Sequence, residues 1–339
     1  RFILISTQSP MVNPDQKPML VITGAAGFIG SCLLAEFTRK NTHHIIAVDD
    51  FSIENKQANF IHTTGVEFID REVFLAWFSA NATHVDAVLH IGARTNTTEQ
   101  NLAVLDHLNL RYSIHIWELC TEHQIPMIYA SSAATYGNGE HGYTDDHALI
   151  PSLKPMNPYG QSKQDFDLWV LAQEKTPPFW AGLKFFNVYG PNEYHKGRMA
   201  SVVMHTFNQI QATGSMSLFK SHKADVADGY QSRDFVYVKD VVRVIVFLLE
   251  QKPKSAIYNL GSGEANPFID LARFTFEAMG KESNISFIDT PIDIRDTYQY
   301  YTCAGMDKLH NAGYPHAFHS LKEGVYDYVQ SYLLPHRYY

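Results

Sequence analysis

MLVITGAAGFIGSCLLAEFTRKNTHHIIAVDD, residues 19–50, decides how the rest of the chain is read. Met19 to Thr23 is a short apolar run that stops at a glycine cluster, the pattern of a strand buried on both faces. From Phe28 to Arg39 the apolar residues fall at helical spacing, and HIIAVDD (44–50) reads as a second strand. Gly24, Gly27 and Gly30 stand between the first strand and the helix. In that context the first makes the tight turn, the second lets backbone amides close on a pyrophosphate, and the third lets helix and strand pack. The helix N-terminus then favours the phosphate charge. Asp49 ends the second strand about twenty residues past the loop, where a carboxylate meets the adenosine ribose of a dinucleotide. Asp49 by itself suggests NAD. Lys56, a few residues on, could pair with a 2′-phosphate and keeps NADP open.

Further apolar runs predict strands at VEFID (66–70), VDAVLHIGA (85–93), IPMIYASS (125–132) and GLKFFNVYG (182–190). Helical stretches lie between them, the longest from about Glu99 to His123. Strands alternating with helices predict an α/β fold: a doubly wound parallel sheet of the Rossmann type, with a smaller α/β substrate-binding domain at its carboxyl edge. The expected division is a tail at 1–17, a dinucleotide-binding domain at 18–182 with 233–262 returning to it, and substrate-domain segments at 183–232 and 263–339. A helix is expected near 199–212, and 220–234 is rich in Asp, Gly and Lys.

NPYGQSKQDFD (157–167) sets Tyr159 and Lys163 four apart, hence on one face of a helix. A cation beside a phenol lowers its pKa from about 10. Upstream, YASSAATYG (129–137) puts Ser131 and Ser132 at the end of the fifth strand, on the same sheet edge as the glycine loop. Together these residues make a reaction centre. Tyr159 is the phenolate base, Lys163 lowers its pKa and bonds the nicotinamide ribose, and Ser132 orients a substrate alcohol. Ser132 as a simple turn or cap serine is the alternative.

The chain has 339 residues, 45% hydrophobic and 18% charged, which supports a sizeable core. The formal charge is −8 and no basic cluster occurs, so nucleic acid is not an expected partner. Cys32, Cys120 and Cys303 are odd in number and widely spaced, which argues against a disulfide scaffold and fits a reducing cytoplasm. The 17 histidines are scattered without ligand spacing, so no metal is expected. No apolar run reaches the roughly 18 residues of a membrane span.

The glycine loop, HIGA (90–93), SSAATYG (131–137), YxxxK, FFNVYGP (185–191) and RDFVYVKDV (233–241) stand in the order seen in the extended short-chain dehydrogenase/reductase superfamily, which the chain resembles from Met19 onward. FFNVYGPNEYHKGRMASVVMH (185–205) and RDTYQYYT (295–302) narrow the resemblance to its ADP-L-glycero-D-manno-heptose 6-epimerase branch. The resemblance implies an isomerase acting on an ADP-heptose precursor of the lipopolysaccharide inner core. It implies NADP, with NAD the other possibility, and a homo-oligomer, often a pentamer. By motif, Ser132, Tyr159 and Lys163 fall on the catalytic positions and Lys196 on a second acid/base. Asn187, Ser201, His205, Arg233 and Tyr298 fall on substrate-contacting positions, as do Ser132 and Lys196. Asp49, Asp50 and Lys56 match the stretch that meets the adenosine end, and Phe28, Ile29, Ala93 and Asn109 complete the implied cofactor set. The chain departs from the branch at Ala25, at Lys184 where Arg is usual, after His90, and in a longer 220–232 stretch.

An epimerase of this kind oxidises a carbinol to a ketone and returns the hydride to the opposite face. Tyr159 and Lys196 are the expected acid/base pair for the two hydroxyl positions, with a phosphate contact the alternative for Lys196. Arg233 could grip the diphosphate bidentately, the alternative being an ion pair with Asp234 or Asp240. Rival functions are another nucleotide-sugar epimerase, such as UDP-galactose 4-epimerase, and a non-catalytic nucleotide-binding sensor. Ala133, Ala134 and Thr135 occupy the positions where sugar dehydratases and decarboxylases carry carboxylates.

Overall fold

A computed structural model describes residues 17–295 and 298–339. The expected tail, apart from Lys17, and Asp296 and Thr297 of the 295–302 motif lie outside the described residues. The strands in chain order are β1 (Met19–Thr23), β2 (His44–Asp49), β3 (Val66–Asp70), β4 (Val85–His90), β5 (Met127–Ser132) and β6 (Trp180–Phe185). They continue with β7 (Asn187–Tyr189), β8 (Met216–Phe219), β9 (Ser232–Tyr237), β10 (Ala256–Leu260), β11 (Ala265–Pro267) and β12 (Ile285–Ile288).

Seven of these form one sheet in the order β3-β2-β1-β4-β5-β6-β10, every pair parallel. Leu20, Val21 and Ile22 are fully buried, as the unbroken apolar run requires when helices cover both faces. The Phe28–Lys40 helix packs with Val238–Gln251, and Arg71–Asn81 packs with Tyr112–Glu122. The chain winds outward through β2 and β3 on one side of β1, and through β4, β5 and β6 on the other. The order therefore reverses between β1 and β4, which opens a crevice at the carboxyl ends. The register brings Thr23 beside Val48 and His90, and Ser132 beside Phe185, so one edge carries the ends of five strands.

The smaller part comprises the β11-β9-β7 sheet, the β12-β8 pair and two helices, Val202–Thr213 and Phe268–Ala278. Ile210, Met216, Leu218, Ile269, Ala272 and Phe276 form its own apolar core. It grows directly from the carboxyl end of β6, so the doubly wound sheet with an appended α/β unit is borne out.

Two elements differ from expectation. The single strand expected at 182–190 is two strands in two sheets. Phe186 N–H donates to Leu260 O at 3.1 Å, and from Asn187 the chain pairs with β9 instead. An apolar run keeps its pattern across such a change of partner, so local periodicity cannot show it. The helix expected from Glu99 starts at Leu102 behind an Asn101 cap and contains a π turn at Asp106–Arg111 before Tyr112–Glu122. Such turns cluster at functional sites.

Candidate active site

The glycine loop opens a cleft of about 480 Å³. Gly24 has φ +69°, and a Cβ there would stand 2.6 Å from the Gly92 Cα. A Cβ on Gly30 would lie 2.0 Å from the Gly24 carbonyl oxygen. Neither position tolerates a side chain without moving backbone, so the loop stays thin enough for a ligand to meet its amides. The helix that follows has no side-chain cap and no acidic residue in its first turn. Its first N–H groups are thus left for an anion. Phe28, Ile29 and Gly30 line the cleft with Asp49, Asp50, Lys56 and Ala93. The glycine cradle, the uncapped helix and the cleft size fit a dinucleotide.

Asp49 is already engaged. Its Oδ2 accepts Ala26 N–H at 2.9 Å, and its Oδ1 accepts Asp50 N–H at 2.7 Å and Lys56 Nζ at 3.1 Å. Asp50 is the more open carboxylate, held below its usual range by Ser52 Oγ–H and facing Arg71 at 3.6 Å. Arg71 also lines the cleft and was not singled out in the sequence, although it follows β3 at the ligand edge. Asn109 does not line the cleft. Its Oδ1 accepts Arg94 N–H at 2.7 Å, and its Nδ2 donates to Arg94 O and Ser162 Oγ at 3.1 and 3.0 Å. From the π turn it clamps the cleft wall to the helix that carries Tyr159.

That helix runs Pro158–Leu171. Pro158 is its first residue, and the Asn157 side chain accepts Gly160 N–H at 2.7 Å. Tyr159 is therefore in the first turn, at the positive end of the helix dipole. Burial raises its pKa, and the Ser132 hydroxyl lowers it in part. Ser132 Oγ also accepts Ala134 N–H at 3.1 Å, so the cap serves the turn as well. Lys163 donates to Ala130 O of β5 at 2.9 Å. Burial brings its pKa down to about 8, with Asp167 acting the other way. The depression of the Tyr159 pKa expected from Lys163 does not appear in this structure: burial raises it, and the opposing influence is Ser132, not Lys163.

Lys196 lines the glycine-loop side of the cleft, its Nζ 5.2 Å from the centre of the Phe28 ring. Burial lowers its pKa, opposed by Glu193. Neighbouring His195 also lines the cleft and was not picked out from the sequence. Burial holds it down to about 4, so it is neutral, and Asn59 Nδ2 donates to its Nδ1 at 3.1 Å. Ser201 serves the fold, donating to Glu193 Oε1 at 2.5 Å and capping the Val202–Thr213 helix.

Arg233 is 8% exposed and donates to Ser232 O at 2.9 Å. Its guanidinium lies 5.5 Å from the ring centres of both Phe268 and Tyr298. Burial lowers its pKa. Neither alternative ion pair forms: Asp234 receives Ser262, Gly263 and Ala304 N–H groups, while Asp240 pairs with Arg243 and His319. Asn187 is exposed at the start of β7, and His205 is exposed on its helix with Nε2 3.3 Å from Arg198 O. Neither lines the glycine-loop cleft, and neither do Ser132, Tyr159, Lys163, Ser201, Arg233 or Tyr298.

Among the described residues no cluster of three or more His, Cys, Asp or Glu is placed to hold a metal ion. No described helix is long and apolar enough to cross a membrane.

The model of the NAD dependent epimerase/dehydratase family matches residues 20–261. The chain belongs to that family. It is 45% identical over 325 residues to an ADP-L-glycero-D-manno-heptose-6-epimerase of Fusobacterium nucleatum, covering 93% of this chain and 98% of the relative. It is 44% identical over 323 residues to one of Nitratidesulfovibrio vulgaris, with the same coverage. Among solved structures, the Helicobacter pylori enzyme of that name superposes with a TM-score of 0.79 at 27% identity, over 93% of this chain and 96% of that one. A UDP-N-acetylglucosamine 4-epimerase of Methanobrevibacter ruminantium gives 0.78 at 20% identity, over 94% and 99%, a likeness of fold. The epimerase branch expected from HKGRMAS and RDTYQYYT is thus borne out, and with it a nicotinamide dinucleotide as cofactor.

Proposed function

We propose that this epimerase-family chain is an isomerase that inverts C6 of an ADP-heptose by transient oxidation to a ketone and reduction on the opposite face. The observation that carries the reading is a meeting of two features at one sheet edge. The glycine-loop cleft opens there, and there β5, which ends in Ser132, holds the Tyr159 helix through Ala130 O and Lys163. The identity of 45% across 93% of the chain narrows the substrate to ADP-heptose.

C6 carries no acidic hydrogen, so direct deprotonation is prohibitive. A bound nicotinamide dinucleotide supplies reversible hydride transfer. Tyr159 Oη takes the C6 hydroxyl proton of one epimer during oxidation and gives it back only when the reaction runs in reverse, while Ser132 Oγ orients the same oxygen. The Ser132 hydroxyl and the helix N-terminus favour the phenolate against the burial that raises its pKa, with the Lys163 ammonium one turn along the same helix. Rotation about the exocyclic C5–C6 bond presents the other ketone face and moves the oxygen. Lys196, its pKa lowered by burial, serves that second position. Arg233, a buried guanidinium 5.5 Å from the centres of two aromatic rings, grips the diphosphate.

Lys56 and Arg71 together favour NADP over NAD. Both line the cleft beside Asp49 and Asp50, and the Asp49 oxygens are occupied by Ala26 N–H, Asp50 N–H and Lys56. Cys32, Cys120 and Cys303 are unpaired, which suits a reducing cytoplasm. Assembly into a homo-oligomer belongs to the same reading and is measured by light scattering.

The test is proton NMR of ADP-heptose deuterated at C6. Interconversion of the epimers with deuterium retained supports the reading. Washout of the label into water overturns the redox route. Turnover of UDP-galactose without turnover of ADP-heptose overturns the substrate.

A further inference from the structure

Behind the reaction centre lies a fully buried ion pair that the chemistry above does not use. Lys184 of β6 donates to Asp167 Oδ2 at 2.6 Å, and both side chains are 0% exposed. Asp167 lies one helical turn beyond Lys163, on the face that meets β5. Its Oδ2 also accepts Ser131 Oγ–H at 2.7 Å, and its Oδ1 accepts Tyr129 O–H at 3.0 Å. Lys184 donates onward to Thr135 Oγ1 at 2.7 Å, and Thr135 donates to Ser132 O at 2.8 Å. One carboxylate and one ammonium thus tie Tyr129, Ser131, Ser132 and Thr135, both sides of the strand end, to the helix of Tyr159 and Lys163.

A buried ion pair is a poor source of stability, since desolvation of both charges offsets their attraction. Apolar residues of the same size would serve a purely structural junction as well or better. What they could not supply is negative charge beside a buried lysine. Lys163 bonds Ala130 O of β5, with Asp167 one turn on along the same helix and His90 of β4 as the other titratable group that interacts with it. Asp167 is the carboxylate of this set. His90 is held neutral, down to about 3, by burial and by Lys163.

We propose that Asp167, through its pair with Lys184, is a positioning residue for the reaction centre: it fixes the end of β5 that carries Ser132 and sets a negative charge one helical turn from Lys163. The inference rests on the reading of Tyr159, Lys163 and Ser132 given above. Asp167 touches neither substrate nor cofactor. It acts through Lys163 and the strand end.

The test follows NADPH fluorescence as the ligand is titrated into the full-length protein across pH 6.5–10 (roughly one unit either side of the Lys163 range). The wild type binds less tightly above pH about 8, where Lys163 loses its proton. Asp167→Asn keeps the volume and one acceptor oxygen, removes the charge, and turns the second acceptor into an NH2 donor. Its midpoint falls by about half a unit or more. Lys184→Met removes the cation bonded to Asp167, leaving its charge to act on Lys163, and the midpoint rises. The two variants move in opposite directions, so either one that folds carries the test. Midpoints unmoved in the variants, with only the melting temperature lowered, would reduce the pair to a structural junction and overturn the proposal. Midpoints that shift as stated in a protein that turns over no ADP-heptose would uphold it while the substrate reading fails.

Discussion

Ala26 N–H of the glycine loop donates to Asp49 Oδ2 at 2.9 Å, so the carboxylate that ends β2 holds the loop in its ligand-binding shape. This gives Asp49 a different role from one that reads the ribose alone. Asp49→Ala removes a charge-assisted bond worth about 1.5–3 kcal/mol. Affinity for NADP and for NAD should fall together, by roughly tenfold or more. Fluorescence titration with both dinucleotides checks this, and a loss confined to NAD would show that Asp49 reads the ribose instead.

Tyr159→Phe keeps the ring that fills the first turn of its helix and deletes the proton carrier. Turnover should drop by about 10²–10⁴, with NADPH affinity within about twofold of wild type. NMR of the epimer mixture and an NADPH titration read the two quantities separately.

Lys196→Met preserves the stem over Phe28 and removes the amine. If Lys196 serves the second hydroxyl position, interconversion stops in both directions, because a complete cycle needs both. Full epimerisation rates with a raised KM would instead make it a phosphate contact.

Arg233→Lys and Arg233→Ala separate grip from charge. The lysine keeps one positive charge but loses the fork that matches a diphosphate. The substrate KM should rise by roughly 10-fold in the first and more in the second, one lost bidentate contact being worth about 1.5–3 kcal/mol. NADPH affinity should hold. Steady-state kinetics beside a cofactor titration show whether the loss follows substrate or the whole fold.

Lys163 links activity and stability to pH with opposite signs. Its folded pKa of about 8 lies below the ordinary lysine value of 10.5, because burial disfavours the charged form. Between those values the unfolded chain binds more protons than the native one, so this lysine's contribution to stability rises with pH. Activity should fall over the same window as the ammonium is lost. Thermal melts of wild type and Lys163→Met from pH 7 to 10 should converge with rising pH, while wild-type kcat declines.

Much of the site was legible in the chain because its signals are local. The glycine loop follows from three residues within seven positions, between a run that must be buried and a periodic helix. Tyr159 and Lys163 share a face because a helical turn takes about four residues. Asp50, Lys56 and Lys196 were named by motif and do line the cleft. Asn109 and Ser201 were named too, yet the first holds the cleft wall and the second caps a helix. A motif records a position, and hydrogen bonds made by folding decide which side of the wall its side chain occupies.

By itself, the sequence determined the doubly wound sheet, the glycine cradle and the tyrosine–lysine helix, because steric freedom, apolar periodicity and helical spacing act over a few neighbouring residues. Only the tertiary structure decided that the chain leaves the main sheet at Phe186, that Arg233 lies over the Phe268 and Tyr298 rings, and that Asp167 meets Lys184 behind the end of β5. Those partners come from strands and helices distant in the chain. Burial then sets the strength of their charges, and burial exists only once the layers have packed.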